Sequence, residues 1–188
     1  MDKTAAPDPE ALLFTERLRL EPIRVAHAAE LIPLLSDARL YAFIPQDPPA
    51  DVAALERRYA RLERRASDDG TQRWLNWALR ATDLAGEPLI GTAQATVLAD
   101  QRALIAYDLG HAHQGRGYAT EACSRVLALL FHGYAVQRVI AECDTLNAPS
   151  IRLLERLGFV RTGVTKDADH FKGRTSDEYR YVLDRPAC

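Results

Sequence analysis

The stretch His113 to Ala122, "HQGRGYATEA", sets two glycines around an arginine and then runs directly into an apolar helical pattern. From Ala119 the apolar positions are Ala119, Ala122, Cys123, Val126, Leu127 and Leu130, the ladder of a helix buried along one face. The helix therefore begins inside the quoted stretch. Its first turn leaves about four N–H groups without internal partners, and the macrodipole adds roughly half a positive charge there. Gly115 and Gly117 remove the side chains that would hold a bulky anion away, so Gln114 to Ala119 reads as an anion cradle shaped for a pyrophosphate. The competing reading is that the two glycines only make a tight strand-to-helix turn.

Outward from the cradle, "WLNWALRAT", "LIGTAQATVLA" and "RALIAYDLG" precede it as three strands with short connections, an antiparallel meander. After it come a helix from Tyr118 to about Tyr134, a strand from Arg138 to Asp144, a helix from Asn147 to Leu157 and two strands around Phe159 to Thr165 and Glu178 to Leu183. Nearer the start, "RLRLEPI" from Arg17 alternates as a first strand, and "AHAAELIPLLSD" has helical spacing bent by Pro33. The three prolines of "LYAFIPQDPPAD" predict a loop exposing Tyr41 and Phe43, with Asp51 as the N-cap of a helix that aligns Val52, Leu55, Tyr59 and Leu62. The arginines of that helix (57, 58, 61, 64 and 65) interleave with Glu56 and Glu63 and read as a solvated face. Residues 1–14 form an expected frayed N-terminal tail. The order of elements predicts an α/β sheet of mixed strand direction.

With 188 residues, 47% hydrophobic and 27% charged, the chain has the composition of one globular domain with a sizeable core. A formal net charge of -2 argues against nucleic acid as a partner. The start "MDKTAAPDPE" lacks the basic and apolar regions of a signal peptide, and no stretch approaches 18 apolar residues, so a soluble, cytoplasmic protein away from membranes is expected. Cys123, Cys143 and Cys188 show no paired spacing and read as reduced thiols. His111 and His113 flank the cradle without a third ligand in view, so no metal is expected.

The loop G-x-x-x-x-G-K-[ST] is absent, and so is G-x-G-x-x-G after a parallel strand, which removes support for nucleotide triphosphates and dinucleotides. "QGRGYATEA" instead fits Q-x-x-G-x-A, and "NAPSIRLLERLGF" follows a strand further on. Together these resemble the GCN5-related N-acetyltransferase (GNAT) superfamily, whose signature loop holds the pyrophosphate of coenzyme A. "TERLRLEPI" and the spacing of Asn147, Ser150 and Leu157 to Phe159 are most similar to the branch that acetylates ribosomal-protein N-termini.

The resemblance covers about Thr15 to Leu183 and implies a single acetyltransferase domain over 15–188. It implies a mixed, mostly antiparallel sheet of about six to seven strands, flanked by about four helices, with central strands that splay apart. Acetyl-coenzyme A is the implied cosubstrate, held by Leu109, Gln114, Gly115, Arg116, Gly117, Tyr118, Ala119, Asn147 and Ser150. The pantetheine arm would lie between the strands Leu104 to Leu109 and Arg138 to Asp144. A backbone N–H in Tyr107 to Leu109 would receive the acetyl oxygen. The partner is an amine, a small molecule or a protein N-terminus, and both monomers and homodimers fit the family.

Two proton tasks follow, deprotonating the amine and stabilising the departing thiolate. Ser150 stands where this branch has a serine proposed to reach the cofactor sulfur, while the tyrosine used elsewhere in the superfamily is Leu154 here. The rival reading of Ser150 is helix capping beside Asn147. The acidic residue often found in the strand before the loop falls at Leu104, which leaves Asp108 and Glu142 as candidate bases. At pH 7 an α-amine costs about 1 kcal/mol to deprotonate and a lysine more than about 4 kcal/mol, which favours the more acidic amines. The departures at Leu104 and Leu154 keep two alternatives open: a non-catalytic acyl-coenzyme A sensing domain, and a protein-interaction module using the "LYAFIPQDPP" loop and the arginine-rich helix.

Overall fold

A computed structural model describes residues 7–186, and it builds one eight-stranded sheet with four α-helices packed on its two faces. Leu13–Phe14 (β1) pairs with Leu18–Pro22 (β2), followed by Gln72–Ala81 (β3), Leu89–Leu98 (β4) and Arg102–Leu109 (β5) as neighbouring antiparallel strands. Arg138–Asp144 (β6) then runs parallel to β5, and the sheet closes with Arg174–Asp184 (β8) and the outer Val160–Phe171 (β7). Alternation fixes the faces: Leu18 and Leu20 of β2 are fully buried while Arg19 and Glu21, which alternate with them, meet solvent in part.

Tyr118–Ala128 (α3) and Ala148–Arg156 (α4) cover one face, and Ala28–Leu35 (α1) and Val52–Leu62 (α2) cover the other. The predicted α3 ladder is the buried one, with Ala122, Val126, Leu127 and Leu130 in the main core and Cys123 buried beside them. The helix continues as a π-turn over Leu129–Gly133. Asp51 caps α2 by accepting from the N–H of Ala54 at 2.7 Å.

The feature that positions a site is the β5–β6 junction. The two strands pair only from Arg102 to Leu104 against Arg138 to Ile140, yet β5 runs on to Leu109 and β6 to Asp144. Beyond that point the strands splay, as the family resemblance implies. On its other edge β5 stays locked to β4, where Gly91 faces Leu109 so closely that a Cβ at 91 would lie 2.2 Å from the Asp108 carbonyl oxygen.

Several expectations need correction. The sheet has eight strands rather than six or seven, because Leu13–Phe14 adds a short one inside the expected tail. Residues 7–14 are anchored at three points: Leu13 is buried, Glu10 meets Arg65, and the Pro7 carbonyl accepts from the Tyr134 hydroxyl. The rest of the tail, residues 1–6, lies outside the described residues, as does Cys188. β7 and β8 run beyond the expected strand ends at Thr165 and Glu178 to a tip at Lys172 and Gly173. An outer strand with both faces wet carries no apolar alternation to read. Tyr41 is buried, and Arg65 sits in the interior on Glu10 and the Ile23 carbonyl, so the arginine face is not uniformly solvated. Among the described residues no helix is long and apolar enough to cross a membrane.

Candidate active site

The quoted loop sits at the splayed end of β5 and is shaped by two left-handed residues, Gly115 at φ 75° and Gly117 at φ 87°. A side chain at either would strain the backbone. Gly117 is the N-cap of α3 and has no side-chain cap, so the first-turn N–H groups of the helix stay open to a ligand. A Cβ added at Gly115 would meet open space, which is what a cradle exposed to an incoming anion requires. Gly115 and Arg116 are exposed, and Gln114 folds back to donate its side-chain amide to the Leu109 carbonyl at 3.0 Å. That bond ties the loop to the end of β5. Leu109 itself is buried.

A clamp that the sequence reading missed holds the cradle from below. Arg17 pairs with Glu121 in the first turn of α3, donates to the Arg116 carbonyl at 3.1 Å and lies 4.6 Å over the Tyr118 ring. Glu121 also accepts from the Arg17 N–H and the Thr15 hydroxyl. Burial alone would raise the Glu121 pKa, but these hydrogen bonds outweigh it and hold the carboxyl below its ordinary value. A carboxylate beside an anion site is thereby neutralised by a fixed guanidinium. The Tyr118 phenol is buried and bonded to Asp83, so what Tyr118 and Ala119 can offer a phosphate is backbone N–H.

On the opposite face of β5, a cavity of about 20 Å³ lies between the sheet and α1–α2, lined among others by Tyr41, Arg58, Tyr59, Trp77, Thr92 and Asp108. Space of that size takes the centre of one small group, such as a water or an ammonium. Asp108 forms its floor. Desolvation pushes its pKa up, offset in part by the Arg58 charge and by the Thr92 hydroxyl, which donates at 3.3 Å. The Tyr59 hydroxyl is buried with no hydrogen-bond partner among the described residues, and its pKa is raised by desolvation.

Ile44 and Gln46 from the proline-rich loop line the same cavity, and the β7–β8 tip holds that loop down. Lys172 donates to the Ile44 and Gln46 carbonyls, each at 3.0 Å, and Arg174 donates to Ala42 at 3.3 Å. Arg174 also pairs with the buried Asp144 at the end of β6. Burial would raise the Asp144 pKa, but Ser176, the Leu146 N–H and Arg174 together hold it low.

Glu142 does not join this group. It is exposed, 3.5 Å from Arg180 in the neighbouring strand, and does not line the cavity. Asn147 caps α4 by accepting from the Ser150 N–H at 3.2 Å, which leaves the Ser150 hydroxyl unspent on capping. That hydroxyl lies 2.7 Å from the Tyr107 phenol oxygen, a contact the sequence had not suggested. Leu154 is in the core. Among the described residues no group of three His, Cys, Asp or Glu side chains could hold a metal ion.

Comparison with known proteins bears on the family and the fold. The family described as acetyltransferase (GNAT) domain matches residues 17–160. The chain is 31% identical over 173 residues to a Bacillus licheniformis protein described as the uncharacterized N-acetyltransferase p20, covering 91% of this chain and 94% of the relative. In fold it is similar to the ribosomal-protein-S5-alanine acetyltransferase of Vibrio fischeri, with a TM-score of 0.79, 18% identity and coverage of 93% and 97% of the two chains. It is similar too to the spermidine N-acetyltransferase of Vibrio cholerae solved with CoA and spermine, with a TM-score of 0.77, 19% identity and coverage of 91% and 97%. A family match over most of the chain, laid on a splayed sheet with an uncapped, glycine-shaped helix start, leads to one conclusion: the chain belongs to the GNAT family of acetyl-coenzyme A-dependent N-acetyltransferases.

Proposed function

We propose that the chain acetylates a primary amine whose nitrogen enters the Asp108 cavity, and that Asp108 is the general base. The observation that carries this reading is the desolvated carboxylate on β5, next to the backbone that faces the splay. Acetyl-coenzyme A supplies an activated thioester, with its pyrophosphate on the N–H groups from Gly115 to Ala119 and its arm in the β5–β6 gap. Gly115 and Gly117 fit that ligand, since each takes a backbone conformation that keeps the helix start clear.

Asp108 accepts the amine proton, and its raised pKa brings it closer to the amine than an ordinary carboxylate would be. A backbone N–H in Tyr107 to Leu109 stabilises the oxyanion as the new C–N bond forms. Ser150 faces the departing sulfur. Tyr41, Tyr59 and the loop held by Lys172 exclude bulk water around the amine, so the narrow cavity favours a primary amino group, on a small molecule or at a peptide N-terminus.

The test is release of free thiol from acetyl-coenzyme A across a broad panel of amines, with wild type and Asp108→Asn side by side. Activity in wild type that falls about 10²- to 10⁴-fold in Asp108→Asn, with acetyl-coenzyme A affinity kept within about twofold, is the expected result. The acid limb of wild-type kcat/KM is expected above the ordinary carboxylate range. The sign follows from the raised pKa: the base works only when deprotonated, so activity is lost as pH falls through that value. An equally active Asp108→Asn removes Asp108 as the base.

A further inference from the structure

Tyr107 and Asp108 are adjacent on β5, so their side chains leave opposite faces of the sheet. Asp108 points into the amine cavity, while Tyr107 reaches from β5 to Ser150 at the start of α4, across the splayed side of the strand. We propose that Tyr107 is a positioning residue for acetyl transfer: its phenol donates to Ser150 and thereby aims the single Ser150 hydroxyl proton at the leaving sulfur. The proposal rests on the acetyl-transfer reading above and adds to it a residue that acts through Ser150.

The argument is one of proton inventory. A hydroxyl has one proton and two acceptor lone pairs, so in the 2.7 Å pair either oxygen could donate. Burial pushes the Tyr107 pKa up, which keeps the phenol protonated throughout the neutral range. The Ser150 N–H is held by Asn147, which fixes where the serine stands. The other group at Ser150 is the Cys143 thiol, pushed by burial up to about 11 and therefore protonated as well. A neutral thiol is a weak acceptor, so the Ser150 proton has no strong partner within this cluster. The thiolate released into the gap is the strong acceptor that is missing, and bonds to a charged group are about twice as strong as neutral ones.

In the step itself the amine nitrogen forms a bond to the acetyl carbon, the C–S bond breaks and its electron pair stays on sulfur. The amine proton goes to Asp108. The sulfur receives a hydrogen bond from Ser150 while Ser150 receives one from Tyr107, and no proton leaves the phenol. The thiolate takes its proton from water on release. Leu154 is buried in the core, so a phenol cannot act from that helix position, and Tyr107 brings one from the opposite side of the gap.

The experiment is a double-mutant cycle on thiol release, using acetyl-coenzyme A and the best acceptor of the amine panel. Tyr107→Phe is expected to lower kcat about tenfold while KM for acetyl-coenzyme A and the melting temperature stay close to wild type. Ser150→Ala should fall at least as far, and Tyr107→Phe/Ser150→Ala no further than Ser150→Ala alone, because the two hydroxyls act as one unit. A Tyr107→Phe enzyme with wild-type kcat overturns the proposal. So do losses that multiply in the double variant, or a loss of thermal stability with kcat per folded enzyme unchanged, which is what a plain β5–α4 tether would give. If wild type binds acetyl-coenzyme A but releases no thiol with any amine, the acetyl-transfer reading falls and takes this one with it. An active wild type with an insensitive Tyr107 removes only the proposal.

Discussion

The glycine-shaped loop proposed to hold the pyrophosphate and the cavity proposed to take the amine sit on either side of the same strand end, and they are made in opposite ways. The cradle is six consecutive residues, Gln114 to Ala119, whose working groups are backbone N–H and whose shape comes from two positive-φ glycines. The cavity is assembled from Tyr41, Arg58, Tyr59, Trp77, Thr92 and Asp108, drawn from five separate segments, and its working groups are side chains. Under the proposed function, one site binds the cosubstrate that the family shares and the other selects the amine. A contiguous backbone site tolerates little change in its own residues, whereas a dispersed site can be retuned one wall at a time.

Three substitutions sharpen that contrast. The largest effect is expected from Gly117→Trp, which forces an L-residue into φ 87° and fills the helix start. Calorimetric affinity for acetyl-coenzyme A should drop at least about 100-fold. Binding that survives would mean that the pyrophosphate does not lie on the α3 N-terminus. Arg17→Met tests the support beneath the cradle while leaving every ligand-facing group in place. It removes the partner of Glu121 and the tie to the Arg116 carbonyl, so acetyl-coenzyme A affinity should weaken about 3- to 10-fold and the melting temperature should fall by a few degrees. An unchanged affinity would show that the clamp serves stability alone. The smallest effect is expected from Glu142→Gln, which alters an exposed residue outside the cavity, and kcat/KM should stay within about twofold. A loss as large as that of Asp108→Asn would reverse the roles assigned to the two carboxylates.

The legibility of the two sites follows from how they are built. Glycine spacing, the α3 ladder and the absence of other phosphate motifs were enough to locate the cradle, because its residues are neighbours in the chain. Arg17 was visible only as part of a strand pattern. Its role depends on Glu121, more than a hundred positions away, and no local rule connects them. Asp108 and Glu142 looked equivalent as strand carboxylates. Burial separates them, since Asp108 lies under α1 and α2 while Glu142 lies where the sheet face is uncovered. Tyr107 went unnoticed for the same reason: in a strand it reads as one more core aromatic until α4 brings Ser150 to its hydroxyl.

What this amino-acid sequence determined by itself is the order of elements, the helix that starts at Tyr118, the glycine loop before it and the family they resemble. These rest on short-range physics: period, capping and the φ that only glycine adopts cheaply. Tertiary structure alone decided which carboxylate is desolvated, which arginine braces the cradle, how the β7–β8 tip pins the loop over the amine cavity and which phenol reaches Ser150. Desolvation, ion pairing and hydrogen-bond partnership depend on which groups the chain brings within a few ångströms of one another. Residues distant in sequence acquire those properties only when the sheet has formed around them.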